Sequence, residues 1–189
     1  KIISTWVLCP VLAAIFGAAI FKVTVKLMRL AKIHLIRVDA YTRLGLIVAG
    51  AFGSYSLGAN NIANVMGPFA HSIAFPELII YQSLHLSGLQ QLFLLGGIAV
   101  AIGVFTYSRR VMMTVGKDLF ELSPVAGWVV VMAHSIVLLL FTSQALAEWL
   151  NEVGLPSLPL VPVSSSQAVI GAVLGIGLIR GRHGIRWSV

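Results

Sequence analysis

The chain has 189 residues, of which 58% are hydrophobic and only 10% are charged. Because a soluble domain usually carries about 25% charged residues, this composition excludes an ordinary cytosolic protein, a disordered chain and a disulfide-rich secreted domain. Thirteen Lys and Arg against six Asp and Glu give a net charge of +7, but no basic stripe alternates with aromatics, so no nucleic acid is expected as a partner. The composition predicts an integral membrane protein.

Five stretches are predicted to be membrane segments of an all-α protein, because a bilayer core of about 30 Å needs about 20 apolar helical residues. In chain order they are residues 2–21, 44–70, 86–108, 125–147 and 153–179. The second and the fifth contain polar residues and helix breakers, so we expect a broken helix and a Pro-rich re-entrant segment among the five.

The cations fall in alternate connections between these segments. Twelve of the thirteen lie in residues 22–43, in residues 109–124 or after residue 179, and the two intervening connections hold none. By the positive-inside rule, the basic connections face the cytoplasm. We therefore expect a multi-pass protein of the plasma (inner) membrane.

Three regions are predicted along the chain: a transmembrane helix in residues 1–21, a basic cytoplasmic segment in residues 22–43, and a larger membrane domain in residues 44–189. The cations of the basic segment recur at helical spacing, which is typical of a helix lying on anionic lipid headgroups.

Lys1 would lie on the outer side without a signal peptide, so we expect the chain to be a piece of a longer membrane protein.

A cluster of asparagines interrupts the second membrane segment, in the sequence GANNIANVMGP at positions 58–68. Asn60 and Asn64 are four residues apart and share a helix face, and Asn61 lies about 100° round the helix from Asn60. Each side chain offers an amide donor and a carbonyl acceptor. Hydrogen bonding between helices could explain one asparagine, but three between helix breakers favour a binding site.

A second polar stretch precedes the last helix, in the sequence LPSLPLVPVSSSQ at positions 155–167. Its prolines favour extended backbone, and Ser164, Ser165 and Ser166 supply residues typical of a helix N-cap. A helix from there to residue 179 would be only about 21 Å long, so we expect it to begin inside the bilayer and to bind an anion. The alternative is an ordinary N-cap just below the headgroups. A broken segment beside a half-length helix is typical of secondary transporters.

His134 lies in the middle of the fourth membrane segment, where an ionisable residue is a functional candidate. The alternative for a lone neutral histidine is a hydrogen bond to a neighbouring helix. The sequence has no HExxH, GxSxG or Walker A motif and no pair of carboxylates within a segment. We therefore predict neither an enzyme nor a metal site, and no cofactor.

Four blocks of the chain resemble the inorganic phosphate transporter family, the PiT-type permeases. Residues 58–68 resemble the signature GANDxANxxGP, and RVMMTVGKDLFELSP at positions 110–124 resembles R-V-x-x-T-V-G-K-x-x-x-x-L-[ST]-P. PVSSSQAVIGAVLG at positions 162–175 resembles P-V-S-[ST]-[ST]-H-x-x-V-G-x-x-x-G, and KIISTWVLCP at positions 1–10 resembles an element that precedes the family's second repeat.

The resemblance implies one half of an inverted-repeat transporter. Residues 44–189 would form the second, C-terminal repeat, and the first repeat of the same chain would be its partner. The site residues implied by the two motifs are Asn60, Asn61, Asn64, Ser164, Ser165 and Ser166. The implied partners are inorganic phosphate or sulfate, the lipid bilayer and, in a homodimer, a second copy.

Three positions depart from the family pattern: Asn61 stands for its Asp, Gln167 for its His, and Val131 for a Glu. The two missing carboxylates are the natural ligands of a hard cation such as Na⁺. Coupling to Na⁺ or H⁺ would then depend on the other repeat, on His134 or on neutral oxygens such as that of Gln167.

The leading hypothesis is secondary active transport of inorganic phosphate by alternating access, with the oxyanion bound at mid-membrane. A sulfate permease of the same family is the first alternative, because sulfate has no proton to donate and Asn61 replaces a carboxylate acceptor. The second alternative is a non-transporting membrane module, a receptor or helix-packing partner, in which the asparagines only pack helices.

Overall fold

The structure, a computed structural model, describes residues 2–31, 35–70, 72, 75–80, 84–118, 123–154 and 160–181. In this part of the chain the elements are α1 (Ile2–Leu30), α2 (Leu35–Met66), a 3₁₀ turn (Gly67–Phe69), β1 (Leu78–Ile80), β2 (Leu84–Leu86), α3 (Gly88–Asp118), α4 (Pro124–Thr142), α5 (Gln144–Glu152) and α6 (Ser165–Arg180). The predicted class, an all-α membrane protein, is confirmed. The antiparallel hairpin, which pairs Ile79 with His85, was not predicted.

Among the described residues, three helices are long and apolar enough to cross a membrane, as judged by length and composition. They are Thr5–Leu30, Gly88–Arg109 and Pro124–Thr142. The predicted second segment lies in α2, where Gly, Ser and Asn dilute the apolar residues. The predicted fifth is not one continuous helix, because α6 begins only at Ser165 and is a shorter apolar helix of 16 residues. The count of five stays a prediction.

Two helices end at residues that differ from the ends of the predicted membrane segments. The helix α1 continues past residue 21 to Leu30, because residues 18–30 contain no Gly or Pro and their Lys and Arg are good helix formers. Residue 21 was predicted as the end of an uncharged membrane segment, and the helix continues beyond it into the basic segment. The helix α4 ends at Thr142 rather than near residue 147, since the hydroxyl of Ser143 accepts from the backbone N–H of Leu146 and caps a new helix, α5.

The asparagine cluster lies in one continuous helix, because α2 passes Gly58 without a break. The break comes at the 3₁₀ turn, where Pro68 follows Gly67. Proline lacks the N–H that another helical turn needs and disfavours helical backbone in the residue before it.

The chain divides into two compact units. The first comprises Lys1–Asn60 and Leu122–Val189, and the second comprises Asn61–Glu121. In the first unit, α1, α4 and α6 pack against one another. Their buried apolar side chains form its core, which contains Cys9, Ala13, Phe21, Val129, Val130, Ala133, Val137, Leu138, Phe141, Val163, Ala168, Ala172, Val173 and Ile176.

The helices α1 and α6 approach each other at the level of their backbones. A Cβ atom placed on Gly171 would collide with the carbonyl oxygen of Pro10, and one placed on Gly175 would collide with that of Ala14. On the facing helix, a Cβ on Gly17 would lie 2.7 Å from the carbonyl oxygen of Ala172. This spacing of small residues lets membrane helices pack closely.

The second unit contains the end of α2, the 3₁₀ turn, the hairpin and α3. A capping box begins α3: the hydroxyl of Ser87 accepts from the backbone N–H of Gln90, whose side-chain oxygen accepts from the backbone N–H of Ser87 at 2.9 Å. Two orphan donors are satisfied in this way. The next side chain, Gln91, donates through its Nε2 to the carbonyl oxygen of Leu86 at 3.1 Å and so ties the helix to the hairpin.

Candidate functional site

Asn60 is the most buried residue of the asparagine cluster, with only 1% of its surface exposed. Its Nδ2 donates to the carbonyl oxygen of Val163 at 2.9 Å. Its Oδ1 accepts from the backbone N–H of the same residue at 3.0 Å. Both are ordinary N–H···O distances. The structure therefore joins the two motifs that the sequence predicted to act together, through residues 103 positions apart in the chain.

The segment that Asn60 binds is extended and leads directly into α6. Residues 160–164 lie outside any helix or strand, and Ser164 is the N-cap of α6 with extended backbone. Val163 is 4% exposed and belongs to the core of the first unit. The Sγ of the buried Cys9 lies 3.8 Å from the carbonyl oxygen of Ser164, which is a weak S–H···O contact. The entry into α6 is thus held from both α2 and α1.

The three serines occupy the predicted place at the start of α6, but not in the way that an ordinary cap would. The side chain of Ser164 makes no capping hydrogen bond, and its backbone carbonyl accepts the first helical bond, from Ala168 at 3.2 Å. The first N–H groups of a helix have no partner within the helix. Ser164 and Ser166 are exposed and Ser165 is half-buried. The hydroxyls and first-turn N–H groups form a set of donors suited to an anion.

The other two asparagines differ from Asn60 in their surroundings. Asn61 is half-buried and Asn64 is exposed. Asn60 and Asn64 are one helical turn apart on α2, and of these two Asn60 is the one that bonds the described part of the segment before α6, residues 160–164. Asn61 and Asn64 belong to the second compact unit, so their grouping with the serines stays a prediction.

Two further candidate residues have polar atoms without partners. Among the described residues, the buried side-chain nitrogens and oxygens that lack a hydrogen bond are Nε2 of His134 and Oε1 of Gln167. His134 is 8% exposed and lies on α4. Within the part of the chain that the structure describes, this nitrogen makes no hydrogen bond to a neighbouring helix, and the alternative considered for His134, a hydrogen bond between helices, would have to use its Nδ1. Buried polar atoms normally have partners, so these two atoms are candidates for contact with a ligand or an ion.

The turn of α4 that contains His134 contacts α2 through Val131 and Ser135. The buried Ser135 donates to the carbonyl oxygen of Val131 at 2.6 Å. A Cβ placed on Gly53 would lie 2.9 Å from the Ser135 Oγ and 3.1 Å from a methyl group of Val131. The position where the resemblance places a Glu is therefore directed toward α2.

Two contributors to the site were not predicted from the sequence. Val163 acts through its backbone, and no side-chain pattern reports such a role. Cys9 lies in an apolar run and carried no signal beyond that of a small buried residue.

Comparison with known families decides the relationship of the chain. A family model described as the phosphate transporter family matches residues 1–189. The chain belongs to the phosphate transporter family. The resemblance seen in four sequence blocks is thereby confirmed. The family is one of phosphate transporters, and the chain is an integral membrane protein.

Curated relatives are similar over most of this chain. A predicted phosphate permease of Pyrococcus horikoshii is 32% identical over 184 residues, which cover 92% of this chain and 39% of that protein. Another, from Methanocaldococcus jannaschii, is 23% identical over 100% of this chain and 51% of that protein. The sodium-dependent phosphate transporter 2 of Xenopus laevis is 28% identical over 76% of this chain and 19% of that protein.

The chain spans at most about half the length of these relatives. No solved structure matches it.

Proposed function

We propose that this chain is part of a secondary active transporter that carries inorganic phosphate across the membrane by alternating access. One observation carries the proposal: a segment that Asn60 bonds at the buried Val163 leads into a short helix, α6, whose N-cap serine makes no side-chain capping bond to the first-turn N–H groups. Family membership names phosphate as the first substrate to test.

The length of α6 supports an anion site inside the bilayer. Its 16 residues span about 24 Å, less than the hydrocarbon core of about 30 Å. At its C-terminal end, Arg180 is exposed, donates to the hydroxyl of Ser123 at 3.3 Å and lies over the ring of Phe21. If that end lies at the polar interface, the N-terminus of α6 lies below the opposite surface.

The proposed ligands of the oxyanion are the hydroxyls of Ser164, Ser165 and Ser166 together with the amides of Asn61 and Asn64. Helix N-termini carry a partial positive charge and free N–H groups, which stabilise an anion. The first repeat of the complete protein would supply the other half of the site, by the inverted-repeat plan that the resemblance implies. A homodimer in the plasma membrane is part of the same proposal.

We propose Gln167 and His134 as contacts of the coupling ion. Their unpartnered polar atoms are buried, and a carbonyl oxygen such as that of Gln167 is a ligand for a hard cation. The Xenopus relative is named as sodium-dependent, which favours Na⁺ over H⁺ as the first ion to test.

Two alternatives have observations in their favour. Asn61 replaces a carboxylate, which favours sulfate because sulfate offers no proton to such an acceptor. The bonds of Asn60 to Val163 are structural contacts, as the helix-packing hypothesis expects of one asparagine, but that hypothesis leaves the uncapped start of α6 without a role.

The test is uptake of labelled phosphate by the complete gene product in proteoliposomes, with unlabelled sulfate as competitor and Na⁺ and H⁺ gradients imposed separately. We expect phosphate uptake that sulfate does not inhibit and that a Na⁺ gradient drives. The Asn61→Asp variant, which has the family residue, is expected to retain phosphate uptake. Uptake of sulfate instead of phosphate would support the first alternative, and uptake of neither anion would contradict transport.

A further inference from the structure

We infer that Asn60 is a positioning residue: its carboxamide holds the extended segment before α6 through the backbone of Val163, and it acts on the anion only through that segment. The inference rests on the proposed function for its effect on transport. Its structural part, that Asn60 fixes this segment before any anion binds, stands separately.

The side chain of Asn60 pairs with the backbone of Val163 in the way that one backbone pairs with another. One carboxamide both donates to and accepts from a single residue, at 2.9 Å and 3.0 Å. Two residues of neighbouring antiparallel strands exchange N–H···O bonds in the same reciprocal way. Asn60 therefore makes with Val163 the two bonds that a neighbouring strand would make. Among the described residues, those that surround Val163 in the core of the first unit lie in helices.

Burial explains why such a partner is needed. Val163 is 4% exposed and Asn60 is 1% exposed, so water does not reach this backbone. In a membrane, a buried N–H or C=O without a partner is strongly unfavourable, and non-helical backbone persists only where the protein itself satisfies it. Residues 160–163 precede the N-cap of α6 and lie outside any helix or strand, and Asn60 supplies both partners of Val163, the last residue before the serines.

The pairing also fixes which atoms face the anion. Val163 immediately precedes Ser164, the N-cap of α6. If the bonds to Val163 are lost, the segment can shift or rotate, and the hydroxyls and first N–H groups move with it. Binding sites lose affinity when donors move by about 1 Å, so the effect on transport is expected although Asn60 does not contact the substrate.

The chemistry of position 60 is restrictive. Leu has nearly the shape of Asn but neither donor nor acceptor. Gln has both groups but one more methylene, which displaces the carboxamide by roughly one carbon–carbon bond. Asn64, one turn further along α2, is exposed and provides a matched control, because the same Asn→Leu change there removes an amide that does not bond Val163.

The experiment measures the mobility of the segment before α6 directly. Leu160 is 46% exposed, so a nitroxide spin label on Leu160→Cys reports the mobility of the segment in the complete gene product, in a background without other cysteines. Spectra are recorded in lipid without phosphate or sulfate for the unmodified background, Asn60→Leu, Asn60→Gln and Asn64→Leu. Uptake and melting temperature are measured for each variant without the label.

We expect Asn60→Leu to add a mobile component to the spectrum in the absence of any anion. We expect its phosphate uptake to fall roughly tenfold or more, since two buried backbone groups lose their partners. Asn60→Gln should fold, with a melting temperature near that of the unmodified protein, and should still show an altered spectrum and reduced uptake. Asn64→Leu should reduce uptake and leave the spectrum unchanged.

An unchanged anion-free spectrum in both Asn60 variants would overturn the inference; with reduced uptake, it would make Asn60 a direct ligand. If Asn60→Leu does not fold, Asn60→Gln decides by the same spectrum. If the unmodified protein transports neither anion, the proposed function fails, and the spectra still test whether Asn60 holds the segment.

Discussion

The helix α6 is held by two contacts of opposite character. Along its length, Gly171 and Gly175 press against the backbone of α1 at Pro10 and Ala14, with no room for a Cβ atom. Just before the helix, Val163 exchanges two hydrogen bonds with Asn60, one donated by each residue. The first contact depends on shape alone, and the second depends on polar atoms in defined places.

Along the single helix α6, we expect one contact to determine mainly the stability of the protein and the other mainly its transport activity. Close packing of α1 and α6 determines where the helix lies, and its loss should unfold the first unit. The bonds to Val163 determine how the chain enters the helix, and their loss should disturb the serines while most of the packing persists. Substitutions that affect one contact and leave the other intact can test this separation.

The largest effect is expected from Gly175→Leu. Even a Cβ atom at this position would collide with the carbonyl oxygen of Ala14, so α1 and α6 must move apart. Overpacking typically costs about 1–3 kcal/mol, and a collision with backbone should lie at or above the upper end of that range. We expect little monodisperse protein in detergent and a strongly lowered melting temperature.

Gly127→Ala is the matched control for this prediction. Nothing lies within 4 Å of a Cβ atom at Gly127, and Ala stabilises a helix by about 1 kcal/mol relative to Gly. We expect an unchanged or slightly raised melting temperature. If Gly175→Leu melts like this control, the close approach of α1 and α6 is not what holds the helix.

The sequence predicted where the two polar motifs lie in the fold better than it predicted their contacts. The serines were placed at the start of a short helix, and Ser164 is its N-cap. All three asparagines were expected to line the site; Asn60 bonds the backbone of Val163 and Asn64 is exposed, and their role as ligands stays a prediction. Residue type and spacing give a helix face, but they do not say which backbone 103 residues away will meet it.

The helices show the same limit. Apolar length predicted the spans in α1, α3 and α4, because it reports on burial in lipid and needs no partner. The end of α1 at Leu30 and the cap at Ser143 depend on local competition between helix propensity and side-chain hydrogen bonds. The free energies of these two effects are similar in size, so composition does not predict which of them determines the end of a helix.

A smaller effect is expected where α2, the helix that carries Asn60, crosses α4. In Gly53→Ala the new Cβ would lie 2.9 Å from the Ser135 Oγ, and that hydroxyl is already bonded to the Val131 carbonyl. We expect a loss of about 1 kcal/mol in thermal unfolding. Because Asn60 keeps its polar atoms, uptake by the folded protein should fall less than in Asn60→Leu.

Removing the obstructing hydroxyl should relieve this defect. The double variant Gly53→Ala with Ser135→Ala is expected to regain part of the lost stability, since contacting residues show non-additive effects. The methyl group of Val131, at 3.1 Å from the added Cβ, limits the recovery. Strictly additive losses would argue against the α2–α4 contact described here.

The smallest effect is expected from Cys9→Ala, which removes the second contact to the entry of α6. A thiol is a weak donor, and its sulfur lies 3.8 Å from the Ser164 carbonyl oxygen, so little hydrogen-bond energy is lost. The side chain is fully buried, so the cost is mainly that of a small cavity, about 1 kcal/mol. Melting temperature should fall slightly, with uptake near that of the unmodified protein.

Cys9→Ala also completes the comparison between packing and polar contacts. If uptake falls as far as in Asn60→Leu while the protein remains folded, contact at Ser164 would be as important as the pairing at Val163, and the special role of the carboxamide would be lost. If only the melting temperature changes, the two residues that contact this segment have different roles. Cys9 then contributes packing beside the segment, and Asn60 determines its hydrogen bonds.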